Sequence, residues 1–238
     1  MPRLFVHCSL GRGVSLMPLA EALPDAANTF FDLPGHGKSG AWGGQDYHSD
    51  SLAVASALTD APTHVIGHSF GATVALRLAL DAPEKVGRLT LIEPVMFAAA
   101  RGTAAYDAHQ TAFAPFVEAM TVQDRDTASA VFTSMWGTGP AWADLPEKNR
   151  ARIRDQIHLI PAAAPAIEED VHGILDRLDQ VHCPVDLIEG SSTQPVIAAI
   201  LDWLERGIPQ ARRAVIDGAD HMAPLTHPIE VARAMTCA

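Results

Sequence analysis

Among the eleven histidines and the scattered serines of this 238-residue chain, one serine and one histidine have the surroundings that nucleophilic catalysis needs. Ser69 stands in His64-Val65-Ile66-Gly67-His68-Ser69-Phe70-Gly71-Ala72, a G-x-S-x-G pattern that closes an apolar run and opens a helical stretch at 72–80. A sharp strand-to-helix turn forces its serine into strained backbone angles, and glycines two residues to either side relieve the crowding. The turn raises the hydroxyl above a sheet and aims a helix N-terminus at developing negative charge. The bare pattern also marks ordinary turn serines; the strand before it and the helix after it single out Ser69 as the nucleophile.

A serine needs a base. His221 follows the last apolar run on a glycine-containing turn, just before the final helical stretch. That order puts its imidazole at the carboxyl edge of a sheet, where the serine also emerges. The other histidines suit other roles. His36 and His227 sit beside Pro or Gly in loops, where a polar anchor is expected. The side chain of His68 is expected to point away across the elbow. His109, His158 and His172 fall on helical stretches, where a solvated or hydrogen-bonded imidazole is the simpler role. No HExxH motif or close His/Asp/Glu spacing calls for a metal, and GHSFG is neither a Walker A loop nor a dinucleotide fingerprint. Neither a metal nor a cofactor is expected.

These residues must be positioned by something, and the pattern of apolar runs says what. Runs at 4–7, 29–32, 64–66, 89–92, 185–188 and 214–216 alternate with amphipathic helical stretches, as in parallel βαβ units. Their continuous apolarity fits a sheet covered on both faces. The fold class is α/β, a mostly parallel sheet of about six strands. Between the fourth and fifth runs the pattern is helical only, at 106–120, 124–135, 147–159 and 167–178, punctuated by Pro140, Pro146, Pro161 and Pro165. This predicts a core of residues 1–97 and 181–238 with a helical cap at 98–180. The chain opens directly on a strand, so no N-terminal hairpin is expected, and the strand at 29–32 is expected at an edge.

With these motifs in order, the chain resembles the α/β-hydrolase family over nearly its whole length. Besides the elbow, His7-Cys8-Ser9-Leu10-Gly11 is similar to the family's His-Gly-x segment after the first strand. Asp32-Leu33-Pro34-Gly35-His36-Gly37-Lys38-Ser39 resembles its D-x-P-G-H-G-x-S loop. Gly218-Ala219-Asp220-His221-Met222-Ala223-Pro224-Leu225 resembles the segment bearing the catalytic histidine. The resemblance implies an oxyanion hole from the backbone N–H groups of Ser9 and Phe70. Cys8 stands where the family has glycine, which leaves Leu10 as an alternative donor; Cys8 itself is expected to be a buried, inert thiol.

The acid departs from the family's commonest pattern. That carboxylate follows the strand at 185–188, yet here Thr193 occupies its place, and after Gly190 no carboxylate appears before Asp202. Glu93, in Leu91-Ile92-Glu93-Pro94 at the end of the strand after the elbow helix, can orient the imidazole instead, as a glutamate does in some haloalkane dehalogenases that the arrangement resembles. The order Ser69, Glu93, His221 is then preserved. Glu189 and Asp217 remain as alternatives.

Composition bounds the function further. At 48% hydrophobic and 19% charged the chain can bury a sizeable core, and a net charge of −11 without a basic run argues against nucleic acid. Cys8, Cys183 and Cys237 form no CxxC pair and are expected reduced. No signal peptide or membrane span is apparent, so a cytoplasmic protein is expected. The expected function is cofactor-free hydrolysis of an ester or related acyl bond of a small, partly apolar molecule through an acyl-enzyme. Phe113, Phe116, Met120, Met135, Trp136 and Trp142 are candidates to line an acyl pocket, although most are expected to pack the cap. A carbon–carbon hydrolase or lyase on the same fold is an alternative, as is a weakly catalytic binding protein. The substrate and the oligomeric state stay open.

Overall fold

The computed structural model describes residues 1–236; Cys237, counted above among the reduced thiols, lies outside them. Six strands form one parallel sheet: β1 (Arg3–Val6), β2 (Asn28–Phe30), β3 (Thr63–His68), β4 (Val86–Ile92), β5 (Val185–Gly190) and β6 (Ala211–Ile216), in the order β2-β1-β3-β4-β5-β6. The three-residue β2 is one edge, as expected, and its brevity limits the unpaired backbone it offers.

Each central strand feeds two cores, as period-two side chains must. Leu4, Val6, Val65, Leu89, Leu91, Val185 and Leu187 join one cluster; Phe5, Ile66, Ile92, Ile188 and Ile216 join the other. The first is covered by α2 (Tyr47–Ala57), α3 (Phe70–Asp81) and α8 (Pro195–Gly207), which contribute Tyr47, Leu76, Ile197 and Leu201 among others. The second is covered by α1 (Met17–Ala22), the short α9 (Ala223–Thr226) and α10 (Pro228–Thr236), through Leu19, Ala223 and Val231. This two-sided burial explains why the strands read as unbroken apolar runs.

Between β4 and β5 the described residues form helices only: α4 (Ala104–Thr121), α5 (Arg125–Trp136), α6 (Glu147–Gln156) and α7 (Leu159–Ile167), with a 3-10 turn at Leu175–Gln180. The helix expected at 167–178 is absent. Pro161 and Pro165, expected to separate helices, are inside α7 instead: Pro161 occupies the first turn, where a missing N–H removes no intrahelical bond, and Pro165 follows one turn later. Asp170 then turns the chain, with φ of 51° and its carboxylate accepting the N–H groups of Ile174 and Leu175. Among the described residues no helix is long and apolar enough to cross a membrane.

The strand order reverses between β1 and β3. The loops leaving their carboxyl ends diverge there, and such a switch point opens a crevice in a parallel sheet. Ser9 follows β1 and Ser69 follows β3, so both border that crevice.

Candidate active site

Ser69 is the residue between β3 and α3, with φ of 56° and ψ of −119°. The flanking glycines are demanded by close approach. A Cβ at Gly67 would lie 2.4 Å from the Gly71 carbonyl oxygen, and one at Gly71 would lie 2.2 Å from the Val6 carbonyl oxygen. Glu93, just beyond β4, also has positive φ at 51°, and Leu10 beyond β1 has 61°. Such backbone angles persist in bulky residues only where the surroundings hold them, and here they gather along one edge of the sheet.

His221 bridges two of these positions. Its Nδ1 lies 3.0 Å from Glu93 Oε2 and its Nε2 lies 3.0 Å from Ser69 Oγ. A carboxylate only accepts, so Nδ1 carries the imidazole proton and Nε2 is left to accept from the serine hydroxyl. Glu93 is wholly buried, and its carboxylate also accepts the Gly190 N–H at 2.7 Å and the Thr193 hydroxyl at 2.5 Å. Thr193, the residue in the usual aspartate's place, thus donates to the glutamate that faces the histidine. Glu189 accepts from Arg213 at 2.7 Å, and burial raises its pKa above the ordinary carboxylate range. Asp217 is exposed beside the Ser191 hydroxyl. Neither meets the His221 ring.

Three further histidines hold the loops. His68 is fully buried, and its Nε2–H donates to the His221 carbonyl at 2.8 Å, tying the histidine loop to the elbow. His7 accepts the Leu33 N–H on Nε2 and donates from Nδ1 to the Cys8 carbonyl. His36 accepts the Leu10 N–H on Nε2 at 2.9 Å, which occupies the alternative oxyanion donor. The N–H groups of Ser9 and Phe70 have no acceptor among the described residues. Arg152, from α6, donates to the Leu10 carbonyl at 2.6 Å and so fixes the same loop from above. Cys8 is buried, and burial pushes its thiol up to about 12, far from a thiolate at neutral pH. The bonds made by His68, His36, Arg152 and Thr193 join segments distant in sequence, and no local pattern announces them.

Two hollows meet at Ser69 and His221. One, of about 430 Å³, is walled by Val95, Phe97, Phe113, Phe116, Trp136 and Ile160, with polar groups including Tyr106, His109 and Glu168. The other, of about 720 Å³, opens along Leu10, Thr133, Trp142, Asn149, Arg152 and Met222. Trp136 lies across the imidazole, its ring centroid 4.7 Å from that of His221. Of the aromatic and methionine side chains expected at an acyl pocket, Phe113, Phe116, Trp136 and Trp142 line one hollow or the other. Met120 and Met135 pack into apolar clusters.

The alpha/beta hydrolase fold family matches residues 4–228. The chain belongs to this family. It is 31% identical over 211 residues to a pimeloyl-[acyl-carrier protein] methyl ester esterase of Aromatoleum aromaticum, covering 84% of this chain and 82% of that one. It is 28% identical over 208 residues to the protein of the same name from Nitrosomonas europaea, covering 83% and 79%. A hydrolase from Pseudomonas aeruginosa, 21% identical, superposes with a TM-score of 0.75 over 98% of this chain and 88% of that one, a likeness of fold. This α/β-hydrolase is therefore an enzyme by family, with Ser69, Glu93 and His221 on the loops at the carboxyl edge of the sheet.

The hydrolase holds six histidines neutral. Burial is the main cause at each, pulling His7, His48, His64 and His68 down to about 3 and His36 and His109 down to about 4. In the unfolded chain each returns to about 6.5. As pH falls below that value the unfolded state binds the extra protons, so stability is lost on acidification until the folded-state values are reached. Each fully buried histidine contributes about 1.4 kcal/mol of loss per pH unit. Glu168 and Glu189, whose carboxyls burial raises, offset a part. Between pH 7 and 5.5 each of these histidines therefore weakens the fold in the same direction. Thermal melts should show Tm falling steeply over that interval; a flat Tm down to pH 5 contradicts the buried neutral histidines.

Proposed function

We propose that this α/β-hydrolase is a cofactor-free serine esterase that works through an acyl-enzyme. Ser69 attacks the ester carbonyl while His221 takes its proton on Nε2, and Glu93 holds the Nδ1 proton and stabilises the imidazolium. The N–H groups of Ser9 and Phe70 receive the oxyanion. His221 returns the proton to the leaving alcohol, and water then attacks the acyl-enzyme by the same route in reverse. The observation that carries this reading is the unbroken relay Ser69–His221–Glu93 opening onto an apolar cavity.

Residues 98–180 serve as a cap over the core formed by 1–97 and 181–238. The aromatic cavity takes the acyl chain, and the more open groove beside Arg152 takes the alcohol side. The named relatives are methyl ester esterases acting on an acyl chain, which supports an ester of a medium-length acyl group as the substrate class. A small-molecule substrate, a cytoplasmic setting and independence from nucleic acid complete the proposal.

A panel of p-nitrophenyl esters of increasing acyl length tests it. kcat/KM should rise to an optimum at medium chain length, where the acyl group fills the aromatic cavity. His221→Ala should remove nearly all turnover at every chain length. Absence of hydrolysis across the panel overturns the esterase reading, and turnover within a few-fold of wild type in a folded His221→Ala variant removes His221 as the base.

A further inference from the structure

Building on the esterase reading, the geometry assigns Arg152 a role in substrate choice: we infer that it binds a carboxylate carried on the alcohol portion of the ester. Arg152 lies on α6 and lines the open groove together with Ser69, His221 and the loop from Cys8 to Gly11. Neither a carboxylate nor a lysine lines that groove, although the chain carries a net charge of −11. Its neighbours on the helix are paired, Arg150 with Glu147 and Arg154 with Glu147 and Asp126. Among the described residues Arg152 meets no carboxylate. Its Nη1 donates instead to two neutral oxygens, the Leu10 carbonyl at 2.6 Å and Gln156 Oε1 at 3.0 Å. A half-buried cation on neutral acceptors has not recovered what it lost on leaving water. Burial accordingly lowers its pKa, and the nearby Arg12 charge adds to the effect.

The rest of the guanidinium suits one carboxylate. Nε and Nη2 have no hydrogen-bond partner among the described residues, and neither is sealed from solvent. These two nitrogens form one edge of the planar fork, the edge that Arg88 turns to Asp186 at 3.1 and 2.8 Å. A carboxylate meets such an edge with two parallel charge-assisted bonds. One cation balances one carboxylate, whereas a phosphate dianion calls for a second cation, and none lines the groove. The lining also gives the side of the ester. Met222 and Leu225, which continue the chain beyond His221, border this groove and not the aromatic cavity. The leaving alcohol takes its proton from His221 and so departs on that side. The head of Arg152 is held at Leu10, itself a lining residue. Two residues of chain span at most about 7 Å, which puts that head within about 10 Å of the Ser9 N–H. A short alcohol bridges the gap.

The test follows acid release by pH-stat from octanoate esters of ω-hydroxy acids of two to six carbons, each against the ester of the matching hydroxy amide. The wild-type enzyme should favour at least one carboxylate over its amide by about tenfold or more in kcat/KM, the size expected of a charge-assisted pair. Arg152→Gln should slow both esters, because the Leu10 carbonyl loses its donor, yet bring their ratio to one or below; Arg152→Lys should retain part of the preference. Monoethyl esters of dicarboxylic acids and their half-amides move the charge to the acyl side and should show no such preference. Ratios near one or below for every alcohol-side pair overturn the inference, as does a preference confined to the acyl side or one that survives Arg152→Gln. Each of those results leaves the esterase reading intact, whereas no hydrolysis of any ester overturns the esterase reading itself. The wild-type ratios decide the matter even if the variants fail to fold.

Discussion

Glu93→Gln should lower kcat by two to four decades while the protein stays folded. The carboxylate accepts three hydrogen bonds, from the Gly190 N–H, the Thr193 hydroxyl and the His221 Nδ1–H. A glutamine of the same size can turn its NH2 toward Nδ1, which then has to accept, and the imidazole proton moves to Nε2. That tautomer cannot take the serine proton, and the equivalent exchange in serine proteases lowers kcat by about 10⁴. The effect belongs in kcat rather than KM, because Glu93 is wholly buried behind the histidine. Glu189→Gln and Asp217→Asn provide the contrast. The first carboxylate faces Arg213 and the second faces solvent, so each should change kcat far less. Steady-state kinetics on the three variants check this, and a Glu93→Gln enzyme within a few-fold of wild type removes Glu93 from the relay. Thr193→Val, which deletes one of the three donors but leaves the carboxylate, should fall between, near a tenfold loss.

Ser69→Ala should lose about 10⁶ in kcat, the scale on which a serine triad acts as one unit. The variant keeps the small side chain that the elbow tolerates, and the flanking Gly67 and Gly71 are unchanged, so its Tm should stay close to wild type. The pairing of lost turnover with a kept fold is what separates a nucleophile from a structural turn serine. A stable Ser69→Ala protein with residual activity above a thousandth of wild type would point to direct attack by water.

The fold was legible because its physics is local. A sheet buried on both faces demands unbroken apolar runs, and all six runs became strands, with ends that differ by at most three residues. The elbow was legible for a similar reason: only glycine permits the approach of β1 to α3 at position 71, so the requirement is written into the sequence. The stretch after α7 misled because proline was read as a stop. Its fixed φ is compatible with a helix, and Asp170 is where the chain turns. The acid lay between these cases. Glu93 was nameable from its strand end, but its partners Gly190 and Thr193 come from the loop after β5, about a hundred residues away. The same holds for the His68 bond to the His221 carbonyl and the Arg152 bond to the Leu10 carbonyl, which join segments far apart in the chain.

The proposed mechanism requires Ser69 to be the covalent nucleophile of this hydrolase. Treating the enzyme with a fluorophosphonate, measuring its intact mass and mapping the modified peptide tests that requirement. One adduct is expected, on Ser69, formed in step with loss of esterase activity and absent from the Ser69→Ala protein. An adduct on another residue, or full esterase activity in enzyme fully labelled at Ser69, contradicts it.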